Sequence, residues 1–308
     1  MRIPIVNFEG FLCQPPRRSA TAAALRAAFE SYGFLYLRNH GVPESVLDAV
    51  LAQSRAFFAL SQEAKLAVKS RIKGSTRGYG SLGSQSLDEK QPGDLKEIFQ
   101  AGPERPGARP NVWPDGLPGF REAVLAFQQG AMETCNQLMR AIAVSLGLPE
   151  GYFALYHDRS DSTARLLHYP PIPATPLPGQ IRAGAHTDFG GLSLLFQDGE
   201  GGLEIQGPEG VWIAAPALPG MAIVNTGDLI ERWTNGQFRS SSHRVVNPSG
   251  PAAGRHRYSV VLFHSPNPDA VIECLASCQS PERQPKYPPI TAGEHMLARI
   301  RASRPGGY

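Results

Sequence analysis

The chain has 308 residues, with 30 Lys and Arg against 27 Asp and Glu and a formal net charge of +3. Its basic residues are dispersed rather than gathered into a stripe, which argues against a nucleic-acid binder, and no run reaches the roughly 18 apolar residues of a membrane span. A 42% apolar composition with 28 prolines and 32 glycines suits a strand-and-turn protein with a sizeable core, read as one domain over 1–308. The four cysteines, at 13, 135, 274 and 278, form no metal knuckle. The first sixteen residues carry Pro4, Glu9 and Pro15 and no apolar run. Reduced thiols in a cytoplasmic protein are therefore expected.

In chain order, Ser19–Ser31 reads as a helix with Leu25, Ala28 and Phe29 at helical spacing, leading to a strand at Phe34–Arg38. Residues 43–70 read as a second helical stretch, its apolar face made by Val46, Leu47, Val50 and Leu51, with Phe57 and Phe58 in the core. The basic cluster Lys65, Lys69, Arg71, Lys73 and Arg77 reads as a solvated helix face and loop. From Lys73 to Gly102 the chain is polar and rich in glycine with no sustained periodicity, which predicts a long functional or mobile loop. A helix over 118–147 follows, opened by Pro118 and closed at Gly147.

Short strands then alternate with Gly and Pro turns: 166–169, 181–186, 191–197, 202–206, 211–215, 221–225, 240–246, 257–264 and 270–274. The proline-rich piece 170–178 cannot pair as a central strand and is expected to be an extended connector. A final helix runs through Ile300, and the last residues, 304–308, are expected to be disordered. The expected fold is mainly β with flanking helices. It has a double-stranded β-helix (jelly-roll) core with an N-terminal α/β extension, divided into 1–115 and 116–308.

Two segments carry the chemistry: Ala-His-Thr-Asp at 185–188 and Ser-Ser-His-Arg-Val-Val at 241–246. His186, Asp188 and His243 would supply two imidazoles and one carboxylate, a set suited to non-heme iron(II) that leaves coordination positions open for cosubstrate and dioxygen. Residues i and i+2 of an extended segment project to one side, so His186 and Asp188 can reach one metal. Asp228 is the competing carboxylate, but no histidine lies two residues from it. Fourteen residues past His243, Arg257 and Ser259 share one strand face while Tyr258 and Val260 take the other. A buried guanidinium there wants an acidic small molecule, or an internal Asp or Glu. The other histidines, at 40, 157, 168, 256, 264 and 295, are assigned to packing or surface.

In this order the motifs resemble the isopenicillin N synthase-like family of iron(II)/2-oxoglutarate-dependent dioxygenases. The resemblance extends to Ile3–Phe8, Tyr32–Pro43, Arg77-Gly78-Tyr79, Asp94–Glu97, Asn111–Pro114, His168–Pro171 and Trp233–Gly236. It implies iron(II) on His186, Asp188 and His243, and a 2-oxoglutarate carboxylate held by Arg257 and Ser259 with Tyr169 touching the cosubstrate. It also implies a lid across the mouth, bringing Arg77, Tyr79, Lys96 and Phe99 to the substrate, and a C-terminal tail near the entrance. Leu167 and Ile172 stand where many plant members carry Asn and Cys. The implied activity is oxidation of a small organic molecule with dioxygen, releasing succinate and CO2. A 2-oxoglutarate-independent oxidase and a non-catalytic jelly-roll binding protein are the alternatives, and oligomeric state is not readable.

Overall fold

The computed structural model describes residues 2–13, 15–72, 75–87 and 91–303. An N-terminal part supplies β1 (Ile5–Asn7), α1 (Glu9–Cys13), α2 (Pro15–Ser31), β2 (Phe34–Arg38), α3 (Glu44–Phe58), α4 (Gln62–Ala67), β3 (Gly78–Gly80) and β4 (Glu97–Ala101). The long α5 (Phe120–Ser145) and a short α6 (Ala154–His157) lead to β5 (Thr163–Tyr169), β6 (Ala183–His186), β7 (Leu192–Gln197), β8 (Leu203–Gln206), β9 (Trp212–Ala214) and β10 (Met221–Thr226). Then come α7 (Asp228–Trp233), β11 (His243–Val245), β12 (Arg257–His264), β13 (Val271–Ile272), β14 (Ile290–Thr291) and α8 (Ala292–Ala302).

Eight strands form one large sheet in the order β1-β2-β10-β7-β12-β5-β4-β3, and four form a second, β6-β11-β8-β9. Only the β1–β2 pair in the large sheet is parallel. The outer face of the large sheet is covered by helices. α5 buries Val124, Phe127, Ala131, Leu138 and Ile142, a three-to-four spacing that makes one stripe, and α3 buries Val50, Ser54, Phe57 and Phe58. These meet Phe99, Leu166, Val260 and Leu262 in the larger core. A second core, with Phe34, Leu167, Ile205, Val245 and Val261, fills the space between the two sheets.

Helices contribute more residues than strands, so the architecture is mixed α/β rather than mainly β. Three local expectations also change. The segment 73–102 is not one open loop, because β4 pairs with β5 and every residue of it is buried. Its Glu97 and Gln100 are buried by polar partners, which hides the alternation that marks a strand. The helical stretch 43–70 breaks at Ser61, whose side chain caps α4 by accepting from the Ala64 amide at 3.2 Å. The basic cluster is not uniformly solvated. Lys65 pairs with Glu97 at 2.8 Å, and Arg77, 3% exposed, pairs with Asp161. Lys73 and Gly74 of that stretch, and the tail 304–308, lie outside the described residues. Among the described residues, no helix is long and apolar enough to cross a membrane, and all four cysteines are free.

Candidate metal centre and substrate cavity

β6 and β11 pair antiparallel in the small sheet with His243 directly opposite His186, and the chain leaving β6 brings Asp188 to the same point. The imidazole centroids are 4.2 Å apart, and one ligand atom from each of His186, Asp188 and His243 lies within 4.8 Å of the others. Among the described residues no other trio of His, Cys, Asp or Glu converges in this way.

Neighbouring groups orient all three side chains. His186 Nδ1 lies 2.8 Å from the Gly184 carbonyl, and His243 Nδ1 faces the Ser241 carbonyl at 3.4 Å. A carbonyl only accepts, so Nδ1 of His186 carries the proton and Nε2 is left as the metal-binding nitrogen. Asp188 Oδ2 accepts from Ser193 Oγ at 2.5 Å and from Asn225 Nδ2 at 2.7 Å, while Oδ1 faces His243 Nε2 at 3.8 Å. Burial, with His243 alongside, holds the His186 imidazole well below its usual range. Burial pushes the Asp188 carboxyl up, but His243, His186 and the Asn225 and Ser193 donors outweigh it and leave the group below its ordinary value. A neutral imidazole beside a carboxylate is the protonation state a divalent cation requires, so the donor set fits iron(II).

Asp228, the competing carboxylate, turns away from the trio. It accepts from Ser240 Oγ at 2.7 Å and faces His295 at 3.3 Å, and it touches Asp188 only through its backbone N–H.

The triad lines the inner of two cavities and lends two of its members to the outer. The inner one, about 70 Å³, is lined by Tyr169, Arg257, Ser259 and Lys96 together with the three candidate ligands. Arg257 is 1% exposed, lies 4.6 Å over the Tyr169 ring, and donates to the Gly201 carbonyl and to Gln197 Oε1. Among the described residues no carboxylate pairs with it, and its Nη1 is buried with no hydrogen-bond partner among them. A cation held only by neutral acceptors, with one donor unspent beside the triad, fits a bound dicarboxylate. Lys96 is buried against Asp94 at 2.6 Å, and burial first, only partly offset by Asp94, pulls its pKa down.

The outer cavity, about 220 Å³, shares His186 and Asp188 with the first and is lined by Gln100, Arg165, Phe189, Phe263, Met296 and Ile300. The Arg165 guanidinium lies 4.7 Å over Phe263 and donates to Gln100 Oε1. α8 roofs this space. Its Arg299 sits 4.6 Å over Phe189, donates to Thr187 Oγ1 and pairs with Asp228.

The four expected substrate residues separate. Lys96 lines the inner cavity. Arg77 lies behind the outer wall, bonded to the wall residues Asp161 and Thr163. Phe99 and Tyr79 face the helices instead, Phe99 against Phe57 and Phe120 and Tyr79 donating to Glu97. Strand alternation is the reason, because Ile98 and Gln100, not Phe99, take the cavity side of β4. The same parity, carried from Arg257 and Ser259 along β12, reaches Phe263, a wall residue that no sequence motif marks. Arg165, Asn225 and Ser193 carry no motif.

Comparison with known proteins agrees with this geometry. The profile for the N-terminal region of non-haem dioxygenase in morphine synthesis matches residues 3–116, and that of the 2OG-Fe(II) oxygenase superfamily matches 160–266. The chain is 34% identical to the 2-oxoglutarate-Fe(II) type oxidoreductase hxnY of Emericella nidulans, covering 97% of this chain and 90% of that one. It is 35% identical to the proline hydroxylase buaE of Petromyces alliaceus, covering 97% and 99%. The crystal structure of a full-length Neurospora crassa protein with alpha-KG superposes with a TM-score of 0.88 at 36% identity, covering 97% and 95%. The same protein with alpha-KG and thymine gives 0.86 at 34%, covering 97% and 96%.

Proposed function

The chain belongs to the 2OG-Fe(II) oxygenase superfamily and is a 2-oxoglutarate/Fe(II)-dependent dioxygenase; from that premise we propose that it hydroxylates a carbon of a small polar molecule seated in the outer cavity. The observation that carries this reading is that His186 and Asp188 of the triad stand in the shared wall of two cavities, with an anion-seeking guanidinium on one side and a mixed polar and apolar wall on the other.

The chemistry supplied by iron(II), 2-oxoglutarate and dioxygen when bound is oxidation of a substrate C–H bond, with succinate and CO2 as coproducts. The protein's part is positioning and exclusion of water. His186, Asp188 and His243 hold the metal, and Arg257 and Ser259 take the far carboxylate of 2-oxoglutarate beside the Tyr169 ring. Lys96, paired with Asp94, closes that pocket. Arg165 and Gln100 orient the substrate through a carbonyl or carboxylate, Phe263 packs its ring or chain, and Met296 and Ile300 cover it from above. Small ring compounds suit the cavity's size, and two relatives point the same way, one a proline hydroxylase and one crystallised with thymine.

The two sheets are read as the walls of a double-stranded β-helix. We treat 1–308 as one catalytic unit, since β1 and β2 from the 1–115 extension lie in the same sheet as β10 and β7 from 116–308.

The test is a panel of ring compounds, proline and thymine first, incubated with iron(II), 2-oxoglutarate and ¹⁸O₂. Hydroxylation predicts a product carrying one labelled oxygen. Consumption of 2-oxoglutarate coupled only to a desaturated or cyclised product would contradict it.

A further inference from the structure

Behind Arg257 and Tyr169, on the face of the large sheet turned away from the cavities, lies a set of buried polar groups that the reaction does not use. Alternation puts Glu97, His168 and Tyr258 on this outer face, while Tyr169 and Arg257 project inward. The register aligns Glu97 with His168 and His168 with Tyr258 across β4, β5 and β12. His168 is 4% exposed, with Nδ1 2.7 Å from Glu97 Oε1 and Nε2 2.7 Å from Nδ1 of His256. Glu97 only accepts, so His168 Nδ1–H donates to it, and His168 Nε2 and His256 Nδ1 share the single hydrogen between them. The two imidazoles are tilted by 17° with centroids 5.0 Å apart, which is an edge-to-edge bond between near-coplanar rings. The other oxygen of Glu97 accepts from Lys65 Nζ at 2.8 Å and from the Tyr79 hydroxyl at 2.6 Å.

His168 immediately precedes Tyr169, and His256 immediately precedes Arg257. The bond between the imidazoles therefore ties together, from behind, the two strand ends whose next residues face the inner cavity. It does so where the ladder runs out. Arg257 opposite Tyr169 is the last pair of the β5–β12 register, and Pro170 has no N–H with which to extend it. The next backbone bond across the gap joins the Ile172 amide to the Ala253 carbonyl. Among the described residues only neutral acceptors, Gly201 and Gln197, hold the guanidinium on the inner side, so its place over Tyr169 depends on the spacing of these strand ends.

We propose that His168, held between Glu97 and His256, is a positioning residue for 2-oxoglutarate: it fixes Tyr169 against Arg257 and so sets cosubstrate affinity without touching the cosubstrate. The inference rests on the reading of Arg257 and Tyr169 as cosubstrate contacts.

The test is calorimetric titration of 2-oxoglutarate into iron(II)-loaded protein without oxygen, with thermal midpoint, iron affinity, and KM and kcat for succinate release measured beside it. His168→Ala and His256→Phe are each expected to raise Kd and KM for 2-oxoglutarate roughly tenfold, the lower end of what groups orienting a ligand-binding side chain contribute, while iron affinity and kcat at saturation stay within about twofold. His256 is exposed, so His256→Phe keeps the test decisive if His168→Ala does not fold. A lowered thermal midpoint with unchanged Kd would make His168 a packing residue and overturn the proposal. Arg257→Lys separates the two readings. If it leaves Kd unchanged, the premise and the proposal fall together; if it weakens binding while His256→Phe does not, the cosubstrate reading stands and the role of His168 is overturned.

Discussion

Asp188 divides its carboxylate between two duties: Oδ2 takes the Ser193 and Asn225 donors, and Oδ1 faces His243. Asn225→Ala is therefore expected to lower iron(II) affinity roughly 10- to 100-fold, because the carboxylate loses the partner that fixes its rotation. Competition with a chelator under anaerobic conditions measures this, and unchanged affinity would mean that Ser193 alone suffices. Arg165 makes a contrasting case, since it lines both cavities yet bonds Gln100 and covers Phe263 on the substrate side. Arg165→Ala should change which compounds stimulate succinate release while leaving the 2-oxoglutarate Kd near wild type; a large loss of cosubstrate affinity would move this residue to the other pocket. At this scale the ligand trio and Arg257 were legible because their spacing is short or ordered. Asn225 and Ser193 were not, because nothing in the chain marks two ordinary polar residues as neighbours of an aspartate on another strand.

At the scale of elements, α8 and α3 do opposite work. α8 presents Met296, Leu297 and Ile300 to the outer cavity and is tied down by Arg299 and His295 on Asp228. Its own start is fixed by a capping box between Thr291 and Glu294. Ending the chain before Ala292 should leave iron binding intact but uncover the cavity, so that succinate forms without matching product. The ratio of succinate to oxidised substrate reads this directly, and a ratio that stays at one would mean that α8 does not seal the site. α3, by contrast, supports the sheet from outside. Phe57, fully buried against Phe58, Phe99 and Phe120, is expected to cost about 3–5 kcal/mol of stability on mutation to Ala, seen in chemical denaturation. The α3 and α5 stripes were readable from helical spacing. β4 was not, because its buried Glu97 and Gln100 imitate a polar loop until the partners that satisfy them are known.

Across the whole molecule, the positions and order of β2 and of β5 to β13 followed from turns and apolar runs, whereas β1, β3, β4 and β14 and the balance of classes did not. The helices of the N-terminal half outweigh short strands whose number suggested a mainly β protein. Long-range burial also sets the pH response. His157 is stacked 4.5 Å from His264, and burial pushes its imidazole down to about 4, against the opposing Phe153 carbonyl. The unfolded chain takes up this proton near the ordinary value, whereas the folded chain does so only near 4. Stability from this group is thus complete above about pH 6.5 and is lost as pH falls toward 4, by about 3 kcal/mol in all. Burial holds His264 well below its usual range in the same direction. Denaturation at pH 7 and pH 5 should show a lower midpoint at pH 5, with much of the difference removed in His157→Phe. The central claim, that His186, Asp188 and His243 assemble a 2-oxoglutarate-consuming iron centre, is tested most directly by succinate release from iron(II)-loaded protein given 2-oxoglutarate and air. Wild type should release succinate and Asp188→Ala should not, although both fold; equal release from the two proteins, or none from wild type with iron bound and the substrate panel present, would contradict it.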